Sequence, residues 1–444
     1  MVKQLFISNV LESYYPTYEK LTDSEKNYWV DHDFREANRG FLYGGDNKVV
    51  ITSYPVHVEN ADLINKTANY NSVINLYPEN PSPSISQDCL KDTLFNQIRK
   101  IIEENNGVEI IPYRQTNEFR DLILSLKELN LDFKTPETLD ENNVFILNYA
   151  GTKRGFRHLW EKVLANKILT PSIEIPEGFI TADRNEAIEA SWWFATHKRS
   201  FVAKINNGVS GVGLQMFDVS ELPKAKTEFI RYLEDQFIED IWNDPVIIIE
   251  ELIDVDKENF SGSPNVELYI DKEGQVKRSY ACEQVLAEDG KTFLGIYINP
   301  EVSNSDFMQS GFEAGEVFGR ELARLGYRGV FDIDFVIAKK GELYAVESNL
   351  RRTGGTHIHE YCSELLGIDY YNNYYILAED IHLTNKISFQ DFMGKYKDFV
   401  YDSVKHEGFF LFNADMLEVG IASIMYISKT ASNLEYLRNV IKGI

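Results

Sequence analysis

Asp334, Glu347 and Asn349 are two acids and an amide at a spacing that can gather oxygen ligands. They lie in the stretch from Gly326 to His357, GYRGVFDIDFVIAKKGELYAVESNLRRTGGTH. Val330 to Ile337 and Leu343 to Ser348 are rich in β-branched, aromatic and apolar residues, and Lys339-Lys340-Gly341 supplies a turn, so the stretch reads as a β-hairpin. If the loop is Lys340-Gly341, or keeps that parity, Asp334 falls across from Glu347 and Asp332 across from Asn349, with side chains on a shared face. Like charges directly opposite destabilise a sheet by roughly 0.2–1 kcal/mol, and burial raises the cost. A divalent cation would compensate. Carboxylate and amide oxygens are hard ligands, suited to Mg²⁺ held between a protein and nucleotide phosphates rather than to zinc, which prefers His and Cys. Just beyond, Arg351 and Arg352 offer fork-shaped donors for carboxylate or phosphate, and Gly354-Gly355 lets a backbone approach a ligand closely. Taken alone, the stretch is also compatible with an ordinary acidic hairpin whose polar face is solvated.

A second constellation is Lys204 and the glycines that follow it, FVAKINNGVSGVGLQMF. Gly208, Gly211 and Gly213 free the backbone to lie against phosphates, the N–H groups of such a loop can form an anion nest, and Lys204 aims a compact positive charge at the same place. The spacing is not the Walker pattern, and the kinase HRD and DFG motifs are absent. A plain glycine-rich hairpin is the alternative.

The elements that must position these residues follow from periodicity. From Lys3 to about Ala150, strands are expected at Leu5 to Ser8, Val49 to Ser53, Val73 to Tyr77, Val108 to Tyr113 and Val144 to Tyr149, with helices over Gln87 to Glu104 and Thr116 to Leu129. Strands alternating with helices imply a parallel, Rossmann-like sheet, and no GxGxxG follows the first strand. The segment opening at Lys153 continues as an amphipathic helix with Phe156, Leu159, Val163 and Leu164 near one face, ended by Pro171 and Pro176. Val246 to Ile249 reads as a buried strand, SPNVELYID as a strand with Asn265, Glu267 and Tyr269 on its polar face, Arg278 to Leu286 and Phe293 to Ile298 as further strands, and Phe307 to Leu325 as a helix. After His357 the chain is expected to be helical and tyrosine-rich, IDYYNNYYILAED, and from about Ile381 to form a small appended α/β piece with strands at Gly408 to Phe412 and Gly420 to Ser428 and a final helix from Asn433.

The 444 residues are 43% hydrophobic and 26% charged, enough for two or three cored domains. Forty-five basic against 69 acidic residues give a formal charge of -24, which argues against nucleic acid and against an acidic membrane surface. Cys89, Cys282 and Cys362 lack CxxC spacing, which argues for a reducing compartment, the cytoplasm by default. The start MVKQLFISNVLES lacks the features of a secretory signal, and no apolar run is long enough to cross a bilayer as a helix.

The acid at Asp334, the Glu347-x-Asn349 pair and the tail ESNLRRTGGTH resemble the metal-binding end of the ATP-grasp superfamily, with the tail most similar to that of pheganomycin-type peptide ligases. The order Lys153, Lys204 with its glycine loop, Glu250 to Ile253, Asp334, Glu347-x-Asn349 and Arg351 matches that superfamily's sequence of parts. The resemblance implies a mixed α/β and α+β architecture: a Rossmann-like pre-ATP-grasp domain over residues 1–150, a two-lobed ATP-grasp domain over 151–375 with lobes at about 151–250 and 251–375, and a small C-terminal α/β appendage over 376–444. It implies ATP and one or two Mg²⁺ ions, or Mn²⁺ in their place, held by Asp334, Glu347 and Asn349.

In this reading Lys153, with Lys162 as competitor, and Lys204 with Gly208, Gly211 and Gly213 hold phosphates. Main-chain groups at Glu250, Glu251 and Ile253 read adenine, and Glu267 lies near the ribose. A solvated lysine, a strand running into a solvated turn and an exposed sheet face are the respective alternatives. Arg351 grips a carboxylate or acyl phosphate, with Arg352, Gly355, Thr356 and His357 lining the acceptor pocket, although His357 reads equally well as a structural hydrogen-bonding residue. One departure is Asp332, where several relatives carry Arg or another non-acidic residue; an acid there would bind an amine or a second metal. The implied activity is ATP-dependent carboxylate–amine ligation through an acyl phosphate, in natural-product or small-peptide biosynthesis, with amino acids or peptides as substrates. Loading of an amino acid onto a carrier-protein thiol, and a non-catalytic nucleotide-binding regulator, are the alternatives. Dimers are common in the superfamily.

Overall fold

The computed structural model describes residues 1–139, 141–165, 173–209 and 211–443. The short apolar runs of the N-terminal part pair in parallel: β1 (Gln4–Ile7), β2 (Lys48–Ile51), β3 (Val73–Leu76), β4 (Val108–Pro112) and β5 (Phe133–Lys134), in the order β3-β2-β1-β4-β5. Leu5, Ile7, Val49 and Ile51 on one face bury against Ile98 and Leu122 of the helices Asp92–Glu104 and Asn117–Glu128, the second of which is capped by Thr116. Phe6, Val50 and Ile111 on the other face join a second core with Ile358, Tyr361 and Phe410 from the C-terminal half. The sheet is therefore anchored to the rest of the chain through its own interior residues.

The expected strand at Val144 to Tyr149 is instead a helix, Phe145–Tyr149. Phe133–Lys134 occupies the place beside β4, and Ile146 and Leu147 gain burial against Phe156 and Trp160 by turning. Packing overrides the strand preference of VFILNY. The helix Lys153–Ala165 follows as expected; Pro171 lies outside the described residues.

Four antiparallel strands form a second sheet: β6 (Gly178–Thr181), β7 (Phe201–Val209), β8 (Val212–Phe217) and β9 (Ile247–Glu251), ordered β6-β9-β7-β8. Helices Arg184–Thr196 and Lys226–Gln236 cover one of its faces through Phe194, Phe229 and Leu233.

The third sheet has eight antiparallel strands, β10 (Pro264–Ile270), β11 (Val276–Leu286), β12 (Phe293–Ile298), β13 (Gly329–Ile337), β14 (Leu343–Glu347), β15 (Tyr375–His382), β16 (Gly408–Asn413) and β17 (Ile421–Ser428), ordered β14-β13-β10-β11-β12-β15-β17-β16. Helix Asp306–Arg324 lies against it on Gly311, Gly315 and Gly319; a Cβ at Gly315 would sit 2.7 Å from Leu268. After His357 the chain is helical only to the end of helix Thr356–Leu366; the tyrosine-rich run that follows holds a single short turn at Tyr370–Asn372 and then strand β15, so ILAED is strand rather than helix. β15 pairs with β12 from Gly295↔Glu379 to Ile298↔Ile376, and the expected separate piece at 376–444 thereby continues the main sheet.

Candidate active site

The β13–β14 hairpin carries the acids, and its register depends on two irregularities. Its loop is three residues, Lys339-Lys340-Gly341, closed by Gly341 N donating to Ala338 O at 2.7 Å, with Gly341 at φ +90°. That loop alone has the wrong parity, pairing Ile337 with Leu343 and Phe335 with Ala345. A bulge at Val346 then adds one residue to β14 and brings Asp334 opposite Glu347, the pairing expected from the simpler loop. Asp332 N donates to Asn349 O at 3.1 Å, so the second expected pair also meets.

Asp334 is held by three amides. Asn265 Nδ2 donates to Asp334 Oδ1 at 2.6 Å and to Asp332 Oδ2 at 2.9 Å, Gln284 Nε2 donates to Asp334 Oδ1, and Asn349 Nδ2 lies 3.4 Å from Asp334 Oδ2. Burial, then the charges of Asp332 and Glu347, hold the Asp334 carboxyl well above the usual range. Burial pushes Asp332 up to about 7 against the opposing charge of Arg351. Glu347 is drawn to Lys153, whose Nζ lies 2.9 Å from Glu347 Oε1 and donates to Gly208 O at 3.2 Å. Among the described residues no group of three or more His, Cys, Asp or Glu side chains is gathered closely enough to hold a metal ion. The donor set on offer is two carboxylates and an amide, all oxygen ligands, with Asp334 and Glu347 opposite in register; this fits Mg²⁺, whose shell water and phosphate oxygens would complete.

Across from the hairpin stands the second sheet. Lys204 from β7 and Arg157 from the helix Lys153–Ala165 clamp the Glu250 carboxylate, Arg157 at 2.7 Å, with all three side chains buried. Burial raises the Glu250 carboxyl and the two cations more than reverse this, leaving it below the usual range. The expected main-chain role of Glu250 is thus joined by a structural one for its side chain. Glu251 reaches outward to Arg199 at 2.6 Å.

One cavity of about 1150 Å³ runs between the two sheets and on to the N-terminal part. It is lined by Lys153, Lys204, Gly208, Gly211, Glu250, Glu251 and Ile253 on one side, and by Asp332, Asp334, Glu347, Asn349, Arg351, Gly355 and His357 on the other. Lys162 is turned away from it, to Glu321 of helix Asp306–Arg324. Arg351 donates to Asn349 Oδ1 at 2.9 Å and lies over the Tyr14 ring, 5.4 Å from its centroid.

Four expected site residues lie off this cavity. Gly213, at φ +74°, packs its backbone on Ile205, where a Cβ would come within 2.4 Å. Glu267, opposite Asp332 in register, is buried under the 353–356 loop and accepts from Thr353 at 3.1 Å, from Ser279 at 3.2 Å and from Thr356. Thr356 is committed to that contact. Arg352 turns to the N-terminal part, where it makes two 2.8 Å bonds to Glu137 and one of 2.9 Å to Pro112 O. Glu267, Arg352 and Thr356 therefore do not line the main cavity. The residues not foreseen are Asn265 and Gln284, which hold Asp334, and Arg157 and Glu137, which neutralise or anchor a site residue. Asn265 had a local signal, since it alternates with Glu267 and Tyr269 on the polar face of β10. The others are paired only by tertiary structure.

No family model matches the chain. A stretch of 143 residues is 31% identical to L-propargylglycine–L-glutamate ligase of Streptantibioticus cattleyicolor, covering 32% of this chain and 28% of that relative, so the chain matches less than a third of the curated protein's length. Among solved structures it is similar to biotin carboxylase from Campylobacter jejuni in complex with beta-gamma-ATP, at 10% identity, TM-score 0.54 and coverage of 99% of this chain and 91% of that one. It is also similar to N5-carboxyaminoimidazole synthetase from Staphylococcus aureus complexed with ADP, at 9% identity, TM-score 0.54 and coverage of 99% and 96%.

Proposed function

We infer that this chain, whose fold is that of the ATP-grasp enzymes, joins a carboxylic acid to an amine at the expense of ATP. The observation that carries the reading is the single cavity on which Lys153 and Lys204 face Asp334, Glu347, Asn349 and Arg351. ATP lies between the two antiparallel sheets, its phosphates toward the lysines and its base toward the stretch from Glu250 to Ile253. Mg²⁺, held by Asp334, Glu347 and Asn349, spreads the charge of the transferring phosphoryl group when bound. A substrate carboxylate, oriented by Arg351, attacks the γ-phosphorus; the new oxygen–phosphorus bond forms as the bond to ADP breaks. A neutral amine then attacks the acyl carbon, phosphate leaves, and loss of the amine's proton gives the amide.

The curated relative's name supports amino acids as substrates. We take residues 1–150 as a domain that precedes the catalytic unit and residues 151–444 as that unit, because β15 to β17 share its sheet. Three buried cysteines without disulfide partners support a reducing compartment such as the cytoplasm. The test is phosphate release from Mg-ATP with paired candidate amino acids, and hydroxylamine to trap the acyl phosphate as a hydroxamate. ATP cleavage that depends on both substrates is expected; no cleavage under any pairing would overturn the reading.

A further inference from the structure

The far end of the main cavity holds charged groups that the phosphoryl chemistry does not use. Helix Asp23–Glu36 places His32, Asp33 and Glu36 there, Arg39 follows it, and Asp380 comes from β15. Most are satisfied internally. Asp33 accepts from Tyr18 at 3.0 Å and lies 3.1 Å from His32 Nδ1; Glu36 pairs with Arg39; and Arg39 donates to the Tyr113 hydroxyl at 3.1 Å. Burial lowers the pKa of His32, but the hydrogen bond to Asp33 and the charge of Glu36 raise it to about 9 overall, so the ring is a cation at neutral pH. Two cations therefore meet three carboxylates. Asp380 is the one left over: its Oδ1 accepts from Ser423 at 2.5 Å, and among the described residues no cationic side chain pairs with it. Burial and the charge of Glu36 push its carboxyl up to about 7, against the Ser423 hydrogen bond and the weaker pull of the His32 and Arg39 charges, which are hydrogen-bonded elsewhere.

A second observation comes from the neighbouring wall. His357 is 1% exposed and lines the same cavity, its ring 6.0 Å from Tyr43 and 5.0 Å from Phe412, and neither ring nitrogen has a hydrogen-bond partner among the described residues. Arg39 Nε is also buried without a partner. Buried polar atoms left unsatisfied are costly, and a polar ligand seated there would restore their hydrogen bonds. The wall between this end and the phosphate end is continuous, since the Tyr113 hydroxyl that takes Arg39 lies 3.1 Å from the Tyr14 hydroxyl, and the Tyr14 ring carries Arg351.

We propose that Glu36 and Asp380 bind the ammonium group of the carboxyl donor, with His357 hydrogen-bonding its body and Arg351 its carboxylate. The proposal rests on the ligase reading and narrows it: the donor is an amino acid or short peptide whose amine is free. An ammonium held between two carboxylates stays protonated and is not a nucleophile. The donor's own amine is thus kept from attacking, and the acceptor amine belongs to a second molecule. The cation could be an α-ammonium or a side-chain ammonium, which share this chemistry.

Calorimetric titration of the full chain with L-leucine, L-lysine, and their Nα-acetyl and, for lysine, Nε-acetyl forms tests the pocket without requiring turnover. Free amino acids should bind at least tenfold more tightly than the forms that lack the recognised cation; loss on Nα-acetylation identifies the α-ammonium, loss on Nε-acetylation alone the side chain. Asp380→Asn and Glu36→Gln should each weaken the free amino acid at least tenfold and leave the acetylated form's affinity as it is. The acetyl comparison in the unmodified protein stands even if a variant fails to fold. Equal affinity for free and acetylated probes, unchanged binding in both variants, or no binding of any probe would overturn the proposal. Discriminating binding without substrate-dependent ATP cleavage would keep the ammonium pocket and remove its donor role, which separates this failure from that of the ligase reading.

Discussion

Glu347 and Asp334 face each other in register but are held apart, the first by Lys153 and the second by Asn265 and Gln284. Both carboxylates would help hold Mg²⁺, which would supply positive charge there, and Lys153, released from Glu347, would be free to meet a phosphate. Glu347→Gln keeps the shape and removes the charge, and it should lower Mg²⁺-dependent turnover by about 10–100-fold; a rate within twofold of the parent would remove Glu347 from the site. Glu267 gives a separate test through stability. Burial pushes its carboxyl up to about 8 from an ordinary 4.5. Between those values the folded state keeps a proton that the unfolded chain has lost, so stability falls as pH rises through the window, by about 1.4 kcal/mol per pH unit for this group. Glu267→Gln should flatten the fall in melting temperature between pH 5 and 8; an unaltered slope would show that the carboxyl ionises freely. The Asp334–Glu347 pair could be read from the chain because the longer loop and the bulge at Val346 together restore the parity of the shortest turn. The amides that hold Asp334 and the arginine that neutralises Glu250 come from other strands and helices, and no local pattern announces them.

At the hairpin, two errors in counting cancel. The loop is one residue longer than the shortest turn and the bulge at Val346 restores the register, so a prediction made from the simpler turn reaches the right pairing by a different route. Inserting one alanine after Val346 should leave a folded hairpin with Glu347 carried out of register with Asp334, and ATP-dependent turnover should fall at least tenfold with a small loss of stability. Retained turnover would mean that the register does not position the acids. Gly341 isolates the turn itself. It sits at φ +90°, and a Cβ added there would have nothing within 4 Å, so Gly341→Ala should cost only the backbone term, about 1 kcal/mol by denaturant titration. The long amphipathic helices and the alternating strands were readable from periodicity. Phe145–Tyr149 was not, because its strand-forming residues lose the place beside β4 to β5 and gain a core by coiling.

Taken as a whole, the molecule is joined through sheets and cores that cross the expected boundaries. Ile376 and Ala378 of β15 share one core with Phe6 and Val50 of the N-terminal sheet, and Leu377, on the opposite face of the same strand, joins a core with Leu411, Tyr426 and Leu434. Composition and local periodicity could not show this, since a strand's partners are set by long-range pairing, and the tyrosines before β15 resemble helix-packing residues as much as the approach to a strand. The physical consequence is that residues 376–444 complete the eight-stranded sheet and the cores on both of its faces. A chain ending at Tyr375 would leave β12 an open edge and strip the apolar partners from both cores, a loss of far more than the roughly 5–15 kcal/mol by which proteins of this kind are stable. Residues 1–375 should therefore be insoluble, or lack a cooperative thermal transition and any shift of it by Mg-ATP. A soluble fragment that unfolds cooperatively and is stabilised by the nucleotide would show instead that the sheet is complete at β12 and that the last three strands are an addition to it.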